Sequence, residues 1–266
     1  MSAISTASTS TTASARAVRR KSPLRQLALT EAKLFVRELI GPIVGIGLPL
    51  ILLAVIGTIG GIRQPTASLG GRSLLYVYVP VIILMGAALI CLIASAGTLA
   101  TYRERGILRR FGTTPAGASR LLAAEVIVNL GTVLIMAAII VVVARLAYHV
   151  GLPSQFGGFI LTLLLAVMAL MGIGLCVASV AKTTRMAHGI GALFFYPMMF
   201  FSGMWLPIPD MSPTLQHISH ATPLGAAVSA MADTLSGTFP PVLYLGVLAG
   251  WAVATSLLAR RLFRWG

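Results

Sequence analysis

The chain has 266 residues, 57% of them hydrophobic and only 10% charged, with a formal net charge of +14. Soluble domains carry roughly a quarter charged residues, so this composition excludes an ordinary water-soluble globule and points to lipid as solvent. The basic excess does not indicate nucleic acid, because it sorts by side of a membrane and does not gather in one patch.

Residues 1–21 form the first unit. Positions 1–15 are almost entirely Ser, Thr and Ala, without charge or apolar periodicity, and predict a disordered cytoplasmic tail. The absence of acidic residues before Glu31 also loosely fits an organellar transit peptide, whereas no apolar core follows Arg16–Lys21 as a secretory signal would require. Ser22-Pro23 then reads as an N-cap followed by proline in the first helical turn. Leu24, Ala28, Ala32, Phe35 and Leu39 recur at spacings of three or four, with Gln26, Thr30, Lys33 and Arg37 on another face. Residues 22–39 are therefore expected to form an amphipathic helix in the headgroup plane, with Arg25, Lys33 and Arg37 touching the membrane surface. The alternative is a plain cytoplasmic extension of the first span.

Crossing a hydrocarbon core takes roughly 20 apolar residues. Six blocks qualify: Ile40–Ile62, Leu74–Leu99, Leu121–Val150, Phe159–Ala181, Gly189–Leu206 and Val242–Ala259. Backbone polar groups in lipid must be satisfied within the segment, so each block predicts a helix. The fifth is the shortest and contains Pro197. Together they make residues 40–259 a six-span membrane domain, followed by a basic cytoplasmic C-terminus at 260–266. Seventeen of the twenty Lys and Arg residues fall in the tail, the second and fourth connections and the C-terminus, which places both chain ends in the cytoplasm. Cys91 and Cys176 lie inside spans and read as small packing residues.

Two connections carry more information. Thr101–Ser119 reads TYRERGILRRFGTTPAGAS. Tyr102–Phe111 fits about three helical turns, stopped by Gly112 and Pro115, with Ile107, Leu108 and Phe111 among charged residues; such a segment suits docking to a cytoplasmic partner. Pro207–Pro241 holds no Lys or Arg, and its apolar stretches Pro213–Ser219 and Leu224–Leu235 predict short amphipathic helices packed on the outer side.

Several chemistries have no carrier in this sequence. There is no GxxxxGK[ST] phosphate loop and no HExxH; His217 and His220 share a helix face but read as surface residues, and Ser202-Gly203 has no polar neighbour to activate a hydroxyl. The reading assigns no catalytic, cofactor-binding or metal residue. Among ionisable groups only Glu125 and Arg145 fall within span boundaries, both near ends where snorkelling explains them. A carrier so poor in coupling charges needs its energy from elsewhere.

Six spans, the amphipathic N-terminal helix, Arg103-Glu104-Arg105-Gly106-Ile107-Leu108-Arg109-Arg110 with Thr113-Thr114-Pro115, and Phe201-Ser202-Gly203, Leu206-Pro207, Ile218-Ser219 and Thr222-Pro223-Leu224 together resemble an ABC-2 type transporter permease of the daunorubicin-resistance branch. The resemblance implies an all-α integral membrane protein of the type V exporter kind: six transmembrane helices, a cytoplasmic coupling helix and short extracellular re-entrant helices. It implies a pair of permeases, most simply a homodimer, in a bacterial plasma (inner) membrane. Two cytoplasmic ATPase subunits would bind ATP and Mg, and an amphipathic drug or lipid would be exported. Under it, Tyr102, Arg103, Glu104, Arg105, Leu108, Arg109 and Phe111 contact the ATPase, and Phe194, Phe195, Met198, Met199 and Phe201 are candidates to line the path. An ion-coupled secondary carrier, with Glu125 as first suspect, and a membrane-embedded enzyme are the competing classes. The enzyme would need polar residues converging at one depth, and no such cluster is evident in the sequence.

Overall fold

A computed structural model describes residues 43–66, 72–107 and 117–262. The tail at 1–21 and the interfacial helix at 22–39, with Arg25, Lys33 and Arg37, lie outside the described residues. Within them the chain is built of helices joined by short connections, with a two-residue antiparallel pair, β1 (Pro65–Thr66) with β2 (Arg72–Ser73).

A π-helical turn, Ile43–Gly47, leads into α1, Leu48–Thr58. Ser73 then caps α2, its hydroxyl accepting from the Tyr76 amide at 3.3 Å. Helix α2 runs Leu74–Glu104 with a π-helical turn at Leu89–Ala94. It is followed by α3 (Gly117–Tyr148), α4 (Phe156–Val180) and α5 (Thr184–Phe201). Two short helices, α6 (Pro213–Ala221) and α7 (Pro223–Ser236), precede the last long one, α8 (Val242–Leu262). Prolines open α6 and α7, where a missing amide costs nothing. Thr222 serves both, donating to the Ser219 carbonyl at 2.7 Å and accepting from the Gly225 amide at 3.1 Å.

Every apolar block of the sequence contains a helix, but among the described residues four helices are long and apolar enough to cross a membrane: Leu74–Glu104, Arg120–Tyr148, Phe156–Val180 and Val242–Leu262. Helix α1 is short within the described residues. Helix α5 starts at Thr184, five residues before the predicted block, because Thr183 caps it through the Met186 amide at 3.1 Å. Its first turns therefore carry Arg185 and His188, which lower its average hydropathy. It ends at Phe201, where Gly203 takes a left-handed φ of 85°, five residues short of the predicted Leu206.

Helix α2 is the centre. Of its most apolar stretch 78% is buried inside the protein, against 28% for α3 and 17% for α8. It packs on α1, α3, α4, α5 and α7, while α4 and α8 lie against each other over most of their length. The outer helices turn large apolar side chains outward, among them Ile51, Ile135, Leu146, Val242 and Val253. Lipid tails are as apolar as leucine, so these faces gain nothing by being hidden and helix association rests on close packing. That packing is tightest at the π-turn. A Cβ at Gly174 of α4 would meet the Cys91 carbonyl oxygen, and one at Gly191 of α5 would meet that of Leu92. Only hydrogen fits at either contact.

Replacing Gly174 or Gly191 by valine should therefore cost about 1–3 kcal/mol and lower the thermal midpoint in detergent. Gly189→Ala, which meets nothing within 4 Å, should leave it unchanged or raise it. Equal midpoints for all three variants would show that the π-turn is not the packing centre.

Candidate functional site

The predicted coupling residues sit where α2 ends. Helix α2 stops at Glu104, and Gly106 takes a left-handed φ of 66°, so Tyr102, Arg103 and Glu104 extend the second span and do not share an unbroken helix with Phe111. Glycine allows this stop because it has no Cβ to strain. The Arg103 guanidinium donates from Nη1 to the carbonyls of Ser179 at 2.7 Å and Ala181 at 3.5 Å, at the free C-terminal end of α4. The Glu104 carboxylate accepts from the Thr184 amide at 2.8 Å and from its hydroxyl at 3.0 Å, at the free N-terminal end of α5. Thr101 and Thr184 hydroxyls meet at 2.8 Å.

Each helix end thus receives the charge its dipole favours, a cation on the carbonyl end and an anion on the amide end. Two adjacent residues of α2 clamp α4 and α5 together across a three-residue connection. Arg103 and Glu104 make these bonds to the chain's own helices while remaining exposed, as is Arg105; Tyr102 is half-buried. Leu108, Arg109 and Phe111 lie outside the described residues. The signal for the clamp was present in Ala181-Lys182-Thr183-Thr184, too short a connection to satisfy two helix ends by itself.

The five candidate lining residues do not share a face. Phe195, Met198 and Met199 are buried in the core, and Phe201 is half-buried. Only Phe194 is exposed, and the exposed stripe of α5 is instead Leu193, Tyr196 and Phe200. The alternation of faces along a helix separates neighbours that a run of aromatic and Met residues makes look equivalent. A matching stripe on α1 comprises Leu48, Ile51 and Val55.

Glu125 does not snorkel. It is 6% exposed on the third turn of α3, and its Oε1 accepts from the Asn129 amide nitrogen at 3.0 Å. Asn129 also approaches Met171 Sδ of α4 at 3.9 Å, and Ser95 of α2 donates to the same sulfur at 3.6 Å. The polar cluster that the sequence did not reveal therefore exists, joining α2, α3 and α4. It is not a nucleophile and base: the Ser95 hydroxyl points to a thioether, not to a proton acceptor. The Ser202 hydroxyl is likewise spent on the Met199 carbonyl, at 2.8 Å.

At the other end of the bundle, about 40 Å away along α2, lies a cavity of about 490 Å³ lined from α2, α6, α7 and α8, from Ser202 and Gly203 just past α5, and from the Pro207–Pro209 turn. Its floor is apolar, from Val81, Ile208 and Val228. Around it stand Tyr76, Tyr244, His220 and Asp233. His220 packs edge-on against Tyr244 with ring centroids 5.2 Å apart, so it is a cavity residue and not, as the sequence suggested, a surface one; His217 is exposed. Burial, helped by the neighbouring His217, lowers the His220 pKa and favours neutral imidazole. Burial raises that of Asp233. The segment is fixed to the bundle by Ser219, which donates to the Phe201 carbonyl at 2.5 Å, and by Trp251, which donates to that of Ala221 at 2.9 Å.

Removing the clamp should loosen one end only. Glu104→Ala should cost about 1 kcal/mol, the usual worth of an N-terminal cap, and raise amide exchange over residues 182–187 while leaving α6 and α7 protected. Unchanged exchange at 182–187 would show that the Glu104 bonds do not hold α5.

Comparison with known proteins places these features. The family model for the ABC-2 type transporter matches residues 24–235. Two curated relatives, each described as a probable multidrug ABC transporter permease YbhR, come from Escherichia coli strain K12 and Escherichia coli O157:H7. Each is 23% identical over 146 residues, covering 55% of this chain and 40% of the relative. The chain thus aligns with less than half the length of the curated relatives it matches. The family match, by contrast, takes in α1 to α6 and nearly all of α7, including the clamp and every cavity residue but Tyr244, and on that extent the chain belongs to the ABC-2 type transporter family.

Proposed function

We propose that this chain is the permease subunit of an ATP-driven exporter that moves an amphipathic, drug- or lipid-like compound out of the cytoplasm or inner leaflet. Family membership supports a transporter membrane subunit over a catalytic enzyme. The observation that carries the mechanism is the clamp. Tyr102–Phe111 is the segment expected to meet an ATPase, and its residues Arg103 and Glu104 make the bonds that hold α4 and α5. A push on that segment cannot move α2 without acting on both of the other helices, since Arg103 and Glu104 make 2.7–2.8 Å contacts to their ends.

In this reading all six apolar blocks span the bilayer, α1 and α5 included, with both chain ends cytoplasmic. Helix α5 has 18 residues and reaches about 27 Å at 1.5 Å each, close to the hydrocarbon thickness. Helices α6 and α7 form the outer cap. Two copies of the chain pair through the exposed stripes of α1 and α5, with Leu193, Phe194, Tyr196 and Phe200 toward the substrate path, and two ATPase subunits hold ATP and Mg. The buried Glu125 favours one competitor, an ion-coupled carrier, because a carboxyl inside a span is commonly functional.

Reconstitution with the ATPase encoded beside it separates the two. ATP should drive export of an amphipathic dye and a proton gradient alone should not. Arg105→Glu should reduce ATP-driven export about tenfold, the loss of a charged anchor at an interface, without altering membrane insertion. Export driven by the gradient and abolished by Glu125→Gln would establish the ion-coupled carrier instead.

A further inference from the structure

We propose that the cavity bounded by α2, α6, α7, α8 and the turn after α5 is a binding site for an organic monocation, an ammonium or phosphonium centre on an apolar body. Its volume of about 490 Å³ lies within the range of small-molecule sites, roughly 300–1,000 Å³. Among the lining residues Asp233 is the only carboxylate and there is no Lys or Arg. His220 is held toward its neutral form, so it does not cancel that charge.

The other walls suit the rest of such a ligand. Tyr76 and Tyr244 supply aromatic rings to the lining, and an aromatic ring attracts a cation by about 0.5–2 kcal/mol. Tyr244 and Asp233 line the same cavity. Val81, Ile208 and Val228 supply the apolar floor. An anion would meet Asp233 with no compensating cation, and a neutral apolar molecule would leave a half-buried carboxylate desolvated without a partner. A monocation satisfies both walls. Binding here needs no ATPase, so the site stands or falls separately from the transport reading.

The test uses the full chain in nanodiscs of neutral lipid at pH 8, with empty nanodiscs as baseline and isothermal titration as readout. Tetraphenylphosphonium should bind saturably, and tetraphenylborate, equal in size and opposite in charge, should not. Asp233→Asn should weaken phosphonium binding about tenfold or more, whereas Asp210→Asn, outside the lining, should leave it unchanged. Ala232→Phe fills the cavity and should abolish binding with the carboxylate intact, and thermal midpoints check that each variant is folded. Equal binding of the two ions, or wild-type affinity in folded Asp233→Asn or Ala232→Phe, would overturn the proposal.

Discussion

Two glycines on different helices press against one turn of α2. Gly174 of α4 meets the carbonyl of Cys91 and Gly191 of α5 that of Leu92. The π-helical geometry of Leu89–Ala94 is what brings successive carbonyls to face two neighbours. In water a core of this kind would be held by expulsion of solvent from apolar surface. In lipid that force is absent between helices, and backbone approach through small residues takes its place. The outer helices are apolar on both faces, so shape at the π-turn, more than hydrophobicity, fixes which helix stands next to which.

Once α4 and α5 are fixed to the middle of α2, their ends must be satisfied. Eleven to thirteen residues further along α2 from Cys91 and Leu92, Arg103 and Glu104 do this with opposite charges, one for each helix end. At the far end the same neighbours carry the α6–α7 cap, through Ser219 on the Phe201 carbonyl and through Gln155, whose amide donates to the Thr234 carbonyl at 3.1 Å. The polar cluster of Glu125, Asn129 and Ser95 adds α3 to this set at intermediate depth. Helices α2, α4 and α5 thus form a unit pinned at its middle and at both ends, which is the mechanical condition for a displacement at one end to reach the other.

The sequence made the apolar helices and short outer helices legible for different reasons. Continuous apolarity marks α2, α3, α4 and α8 because lipid leaves a backbone no other option. Proline punctuation marks α6 and α7: the expected stretches Pro213–Ser219 and Leu224–Leu235 lie within two residues of the helix ends. What the sequence hid were partnerships. The helix ends that Arg103 and Glu104 bond are about 80 residues away in the chain, so nothing local marks these two exposed residues as caps. Glu125 read as snorkelling because its depth was judged from the edge of an apolar block, whereas α3 begins at Gly117. Phe195, Met198 and Met199 read as equivalent to Phe194 because a compositional run does not show which face turns inward.

Helix α5 shows why its weak apolar signal and its mechanical role have one cause. A purely apolar start would have been an unmistakable span, but it would give Glu104 nothing to hold. Thr183, Thr184 and Arg185 depress the hydropathy of the first turns, and two of these three make the bonds that fix the helix. Thr183 caps it from within and Thr184 receives Glu104 through both amide and hydroxyl. About two to four turns further on the same helix presents Leu193, Tyr196 and Phe200 outward while Phe195 and Met199 grip the core. Only hydrogen fits where Gly191 meets the Leu92 carbonyl, so rotation of α5 about its own axis would break that contact, and a displacement entering at the tethered end passes to α2 as a shift of the packed pair.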